Sequence, residues 1–82
     1  MNDQTSRARI KISAADVATQ VMFEPVAMHV DLLPGEEIYL ELPLTDLRSL
    51  EVITWDGGIS FWLPYPSDQV VFDGAGNELF RM

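Results

Sequence analysis

Nucleophilic and acid–base chemistry needs an activated side chain held beside a base. This 82-residue chain offers few such groups. It has no cysteine, and His29 is its one imidazole. His29 and Asp31 stand two residues apart on the polar side of an alternating segment, so the pair can share a surface. None of the five serines lies in a Gly-x-Ser-x-Gly setting. Thirteen acids make chance carboxylate pairs inevitable, and no spacing singles out a pair suited to acid–base work. The sequence therefore predicts no catalytic residues and no enzymatic activity.

Metal and cofactor chemistry fares no better. Asp73, Asn77 and Glu78 collect hard oxygen donors around Gly74 and Gly76, which suits calcium. Ala75, however, stands where an EF-hand loop needs an oxygen ligand, and the segment reads as a plain hairpin loop. Without cysteine, thiolate zinc and blue-copper sites are out of reach. No glycine-rich phosphate loop precedes a helix. The expectation is no metal and no cofactor.

What remains is aromatic. Trp55 and Trp62 flank the turn signal Asp56-Gly57-Gly58, and Tyr65 follows in Phe61-Trp62-Leu63-Pro64-Tyr65-Pro66. With an even-numbered loop, Ile53, Trp55, Ser60 and Trp62 share one face of the hairpin, while Val52, Thr54, Ile59 and Phe61 share the other. An odd loop separates the indoles. Ile59, Phe61 and Leu63 make the more apolar side, which is the expected core side. The opposite side then has three readings: cover by another part of the chain, a protein interface, or a platform for a sugar or other flat ligand. Ile53, Trp55, Trp62 and Tyr65 are the candidate partner-binding residues. Pro64 and Pro66 limit ladder bonding beyond Leu63 and predict an exposed edge there.

The elements that must position this cluster alternate with period two, as half-buried strands do. Residues 7–12 set Ala8, Ile10 and Ile12 against Arg7, Arg9 and Lys11. Residues 26–32 turn Val26, Met28, Val30 and Leu32 inward, and residues 37–42 turn in Ile38, Leu40 and Leu42. Residues 58–63 read the same way, and less regular apolar runs at 50–55, 69–72 and 78–82 complete the set. Leu33-Pro34-Gly35-Glu36 carries Pro and Gly where a type II turn wants them. Residues 13–22 are ambiguous. Ser13 could cap a short helix with Ala14, Val17, Ala18, Val21 and Met22 on one face. Alternation of Val17, Thr19, Val21 and Phe23 favours a strand. Residues 44–49 form a linker with room for one helical turn. The expected fold is one all-β domain over residues 1–82, a small antiparallel β-sandwich or barrel of about seven strands.

Composition bounds the partners. Apolar residues make up 48% and the net charge is −8. Residues 1–11 hold three bases and one acid, a net +2; residues 12–82 hold two bases and twelve acids, a net −10. Such a body repels nucleic-acid phosphates and anionic membranes and attracts basic partners. No segment has the length and apolarity of a signal peptide or a membrane span, which points to the cytoplasm. The start at Met1 and the apolar segment ending at Met82 read as a whole small gene product. A domain this small has a marginal core, and without disulfides or metal the remaining support is oligomerisation. The leading expectation is a non-catalytic protein-interaction or accessory module that self-associates as a homo-oligomer. The alternatives are a carbohydrate or small-ligand module using Trp55, Trp62 and Tyr65, and an acidic decoy on a nucleic-acid-handling protein.

Overall fold

A computed structural model describes residues 6–82. The segment at residues 1–5, read above for a leader signal and counted for Asp3, lies outside the described residues. Eight strands form two four-stranded sheets. They are β1 (Arg7–Ser13), β2 (Thr19–Glu24), β3 (Met28–Leu32), β4 (Glu37–Pro43), β5 (Glu51–Trp55), β6 (Gly58–Trp62), β7 (Val70–Asp73) and β8 (Glu78–Arg81). A 3-10 helix, Leu44–Ser49, bridges β4 and β5. The first sheet runs β1-β4-β7-β8 and the second β3-β2-β6-β5.

The all-β sandwich expectation holds. The inward residues of both sheets form one core, with Val21, Phe23, Leu40, Leu42 and Val71 fully buried. Phe23 joins the two layers. Its ring stacks on Phe61 of its own sheet and meets Phe80 of the other edge-on, both at 5.8 Å between centroids. Such pairs add to plain area burial. The turn at Leu33–Glu36 is also as read: Gly35 has φ +84°, and the Glu36 amide donates to the Leu33 carbonyl at 3.0 Å. Only glycine takes that conformation cheaply.

Four expectations need correction. Residues 13–22 hold no helix, and the strand there starts at Thr19, not at Val17. Ser13 cannot cap, because it is the last residue of β1 and pairs with Glu37. The Ala14 backbone is bonded to Glu36 and Gly35, and Val17 is left in solvent. Secondly, β3 starts at Met28; Val26 and Ala27 belong to the preceding turn, where Ala27 has φ +63°.

Thirdly, the second sheet is mixed. β2 and β6 run parallel, with Val21 opposite Ile59 and Phe23 opposite Phe61. Alternation reports which side is buried and says nothing of the neighbour's direction. Fourthly, Pro64 and Pro66 do not mark a sheet edge. β6 is a central strand between β2 and β5, and the last bond on the β2 side runs from the Leu63 amide to the Glu24 carbonyl at 2.9 Å. The prolines fall just past the strand end, where no ladder donor is missed.

Candidate interaction surface

The β5–β6 hairpin closes on the two-residue loop Asp56-Gly57, with Gly57 at φ +90° and Trp55 opposite Gly58. The even loop sets the parity. Ile53 faces Ser60 and Glu51 faces Trp62 on one side; Val52 faces Phe61 and Thr54 faces Ile59 on the other. Register extends the outward side across the sheet. Gln20, Met22 and Glu24 of β2 stand beside Gly58, Ser60 and Trp62, and Asp31 and His29 of β3 stand beside Gln20 and Met22.

The aromatic residues occupy this surface unequally. Ile53, Trp55 and Trp62 are 41%, 41% and 43% exposed, so among the described residues no other part of the chain covers them. That removes the first of the three readings of this face. The Trp55 indole folds inward over β6, where its Nε1–H donates to Ser60 Oγ at 3.0 Å. A Cβ at Gly58 would overlap the indole and lie 2.7 Å from the Gln20 carbonyl oxygen. The glycine therefore makes room for the indole. Trp55 and Trp62 sit at opposite ends of the hairpin, four residue steps apart along the ladder, about 13 Å, with Ile53 and Ser60 between them. Tyr65 is also exposed, but it lies past β6, in the segment following Pro64. Ring stacking among the described residues joins Phe23, Phe61 and Phe80 and not these three side chains.

Charge divides between the sheets. The strands of the second sheet contain no lysine or arginine, while Glu24, Asp31 and Glu51 lie on its outward side. Glu24 and Glu51 both neighbour Trp62 in register. On the first sheet the β1 bases are neutralised. Arg9 meets Glu41 at 2.8 Å, Lys11 meets Glu37 at 3.4 Å and Arg7 meets the Asp68 carboxylate at 3.5 Å, and the Arg7 guanidinium also donates to the Asp68 backbone carbonyl at 2.6 Å. Arg9 also lies over the Tyr39 ring at 5.1 Å. The basic strand face legible in the sequence is thus paired with the protein's own acids at the surface. A hydrogen bond from the Tyr39 hydroxyl, 2.7 Å long, holds the Glu37 carboxyl below its ordinary range, with Lys11 adding to the effect.

The remaining candidate groups have local duties. His29 lies 3.8 Å from Asp31 on the surface. Asp73 accepts the Ala75 and Asn77 amides at 2.9 Å each, which depresses its pKa, the Asn77 bond most of all. This carboxylate ties its own hairpin loop. Among the described residues no group of three or more His, Asp or Glu is placed to hold a metal ion, and no helix is long and apolar enough to cross a membrane. An open depression of about 400 Å³ lies between β3, the Gly35 turn and Leu79.

Gln69 escaped sequence reading. It is 1% exposed, and its amide donates to Asp46 Oδ2 at 3.1 Å and to the Pro64 carbonyl at 2.8 Å. Ser67 donates to the same Asp46 oxygen at 2.6 Å. This cluster fastens the 3-10 helix before β5 to the segment after β6, and so steadies both ends of the hairpin. A glutamine beside two valines carries no sequence signal of such a role. No family model matches the chain, and no curated protein or solved structure matches it at a significant level.

Proposed function

We propose that this chain is a non-catalytic protein-interaction module of the cytoplasm that self-associates through the β5–β6 hairpin. One observation carries the reading: Ile53, Trp55 and Trp62 stand exposed along one face of the hairpin that nothing in the described chain covers. Large apolar side chains grouped on a surface mark contact sites more often than solitary ones do. A small domain without cysteine gains stability by burying such a face against another molecule.

The test is mass in solution. Sedimentation across micromolar concentrations is expected to show a dimer or larger species. Ile53→Lys, which puts a charge in the middle of the apolar strip, is expected to weaken assembly about tenfold or more. A monomer at every concentration, or assembly indifferent to Ile53→Lys, sinks the proposal.

A second reading has an observation of its own. The outward side of the second sheet carries acids and no lysine or arginine, which favours a basic surface as partner, as the decoy alternative requires. Binding to such a partner would weaken steeply with added salt. The sugar-platform alternative has no comparable support, since Tyr65 stands outside the hairpin.

A further inference from the structure

The sandwich has four edge strands, β1, β8, β3 and β5, and three of them carry features that discourage pairing with another chain. β1 bears Arg7, Arg9 and Lys11. β8 has four residues including Glu78 and Arg81, beside an irregular register at Val71/Phe72. β3 bears His29 and Asp31 and leaves a turn whose Ala27 is left-handed. β5 is the least protected of the four, with Glu51 at its end as its one charged residue. Its sequence is Glu-Val-Ile-Thr-Trp, with no proline, no base and no bulge in its pairing to β6, and all five residues are exposed. Val52 faces the core side yet remains 48% exposed, so the opposite sheet does not reach over β5.

The backbone groups on that edge can be assigned. The Gly57 carbonyl accepts from Gln20, and the Leu63 amide donates to Glu24. Odd-numbered β6 residues therefore direct their backbone groups at β2, and Gly58, Ser60 and Trp62 direct theirs at β5. Bonded and non-bonded pairs alternate in an antiparallel ladder, so Trp55, Ile53 and Glu51 are the bonded partners on β5. The N–H and C=O groups of Val52 and Thr54 then point out of the sheet. Among the described residues no turn, loop or side-chain bond uses them. The Trp55 indole, turned over β6 toward Ser60, leaves the edge open.

We infer that the occupant of this edge is β5 of a second copy, paired antiparallel about a two-fold axis through Ile53, joining two four-stranded sheets into one of eight. This rests on the self-association reading above and places the contact at the hairpin's edge strand, so that pairing extends the outward apolar face and does not cover it. The five-residue strand is self-complementary in that register. Val52 of each copy meets Thr54 of the other and exchanges two hydrogen bonds, four in all. Ile53 meets Ile53 as a non-bonded pair, about 4.5 Å between Cα atoms. Glu51 meets Trp55, not another acid. The two Glu51 residues lie four residue steps apart, about 13 Å, which exceeds the screening length of about 8 Å at physiological salt. The two apolar strips then become one continuous strip, with the Ile53 pair at its centre.

Two variants test the geometry. The Thr54 amide is not used within the protein, so Thr54→Pro is compatible with the monomer's edge strand but deletes two of the four intermolecular bonds. It is expected to keep its fold by circular dichroism and to raise the dimer dissociation constant about tenfold or more. In a chain without native cysteine, Ile53→Cys is expected to oxidise to a disulfide dimer, because facing Cα atoms at this spacing suit the bond. Glu51→Cys, displaced from its own copy, is expected not to do so. If wild-type protein dimerises but Thr54→Pro leaves it intact, or if both cysteine variants cross-link equally, the edge geometry is overturned while the hairpin remains the surface. Should Thr54→Pro fail to fold, the cysteine pair decides. A wild-type monomer at all concentrations overturns both.

Discussion

Gly58→Ala perturbs the hairpin at the point where its aromatic face is built. The new methyl group would overlap the Trp55 indole and press on the Gln20 carbonyl oxygen from 2.7 Å. The two contacts respond differently. The indole can swing out, at the loss of its 3.0 Å bond to Ser60, a net cost of about 1 kcal/mol. The carbonyl belongs to the β2 backbone paired with β6, so it can retreat only by distorting the sheet, an overpacking cost of about 1–3 kcal/mol. Together these give about 2–4 kcal/mol. For a domain of this size each kcal/mol moves the unfolding midpoint by about 4–8 °C. Thermal unfolding followed by circular dichroism gives the total, and tryptophan emission reports the indole's displacement. In a Trp55→Ala background the same substitution is expected to cost about 1 kcal/mol less, because only the backbone contact remains. A Gly58→Ala protein with unchanged melting and emission would refute the placement of the indole over β6.

Phe23→Ala removes the ring that joins both layers and is expected to cost about 3–5 kcal/mol in denaturant titration, a large share of the total stability of so small a domain. Gln69→Ala strips donors from Asp46 and the Pro64 carbonyl and is expected to cost about 1–3 kcal/mol, with faster amide exchange in the 3-10 helix and at residues 63–69. Glu37 and Asp73 have depressed pKa values, so their contribution is complete above their ordinary values of 4.5 and 3.8 and is lost as pH falls through the lower folded values. Melting points are therefore expected to fall below those values, and less steeply in Tyr39→Phe, where Glu37 has lost its main stabilising donor.

The sequence made some of this legible and hid the rest for physical reasons. Period-two alternation located β1, β4 and β6 within a residue or so, because each has one buried and one wet face. Loop parity correctly put Ile53, Trp55, Ser60 and Trp62 on one side, since register in a tight hairpin follows from counting. Pairing between distant segments was not legible. Nothing in Gln20–Glu24 announces a parallel neighbour at Gly58–Trp62, or that Ser13 is held in β1 by Glu37. The sequence shows the β1 bases as one basic face and hides their pairing, because the acids that meet Arg9 and Lys11, Glu41 and Glu37, arrive from β4. Nor does alternation reveal where the opposite sheet stops, and that boundary leaves Val52 exposed on the core side of β5.

We propose the uncovered β5–β6 hairpin as the place where this protein meets a second copy of itself. Sedimentation equilibrium of the wild-type chain, run beside Ile53→Lys, tests it most directly. The expected mass is twice 9.2 kDa for the wild type at micromolar concentration, with a shift toward the single-chain mass for the variant. A wild-type protein that sediments at 9.2 kDa throughout, with Ile53→Lys indistinguishable from it, would contradict the account.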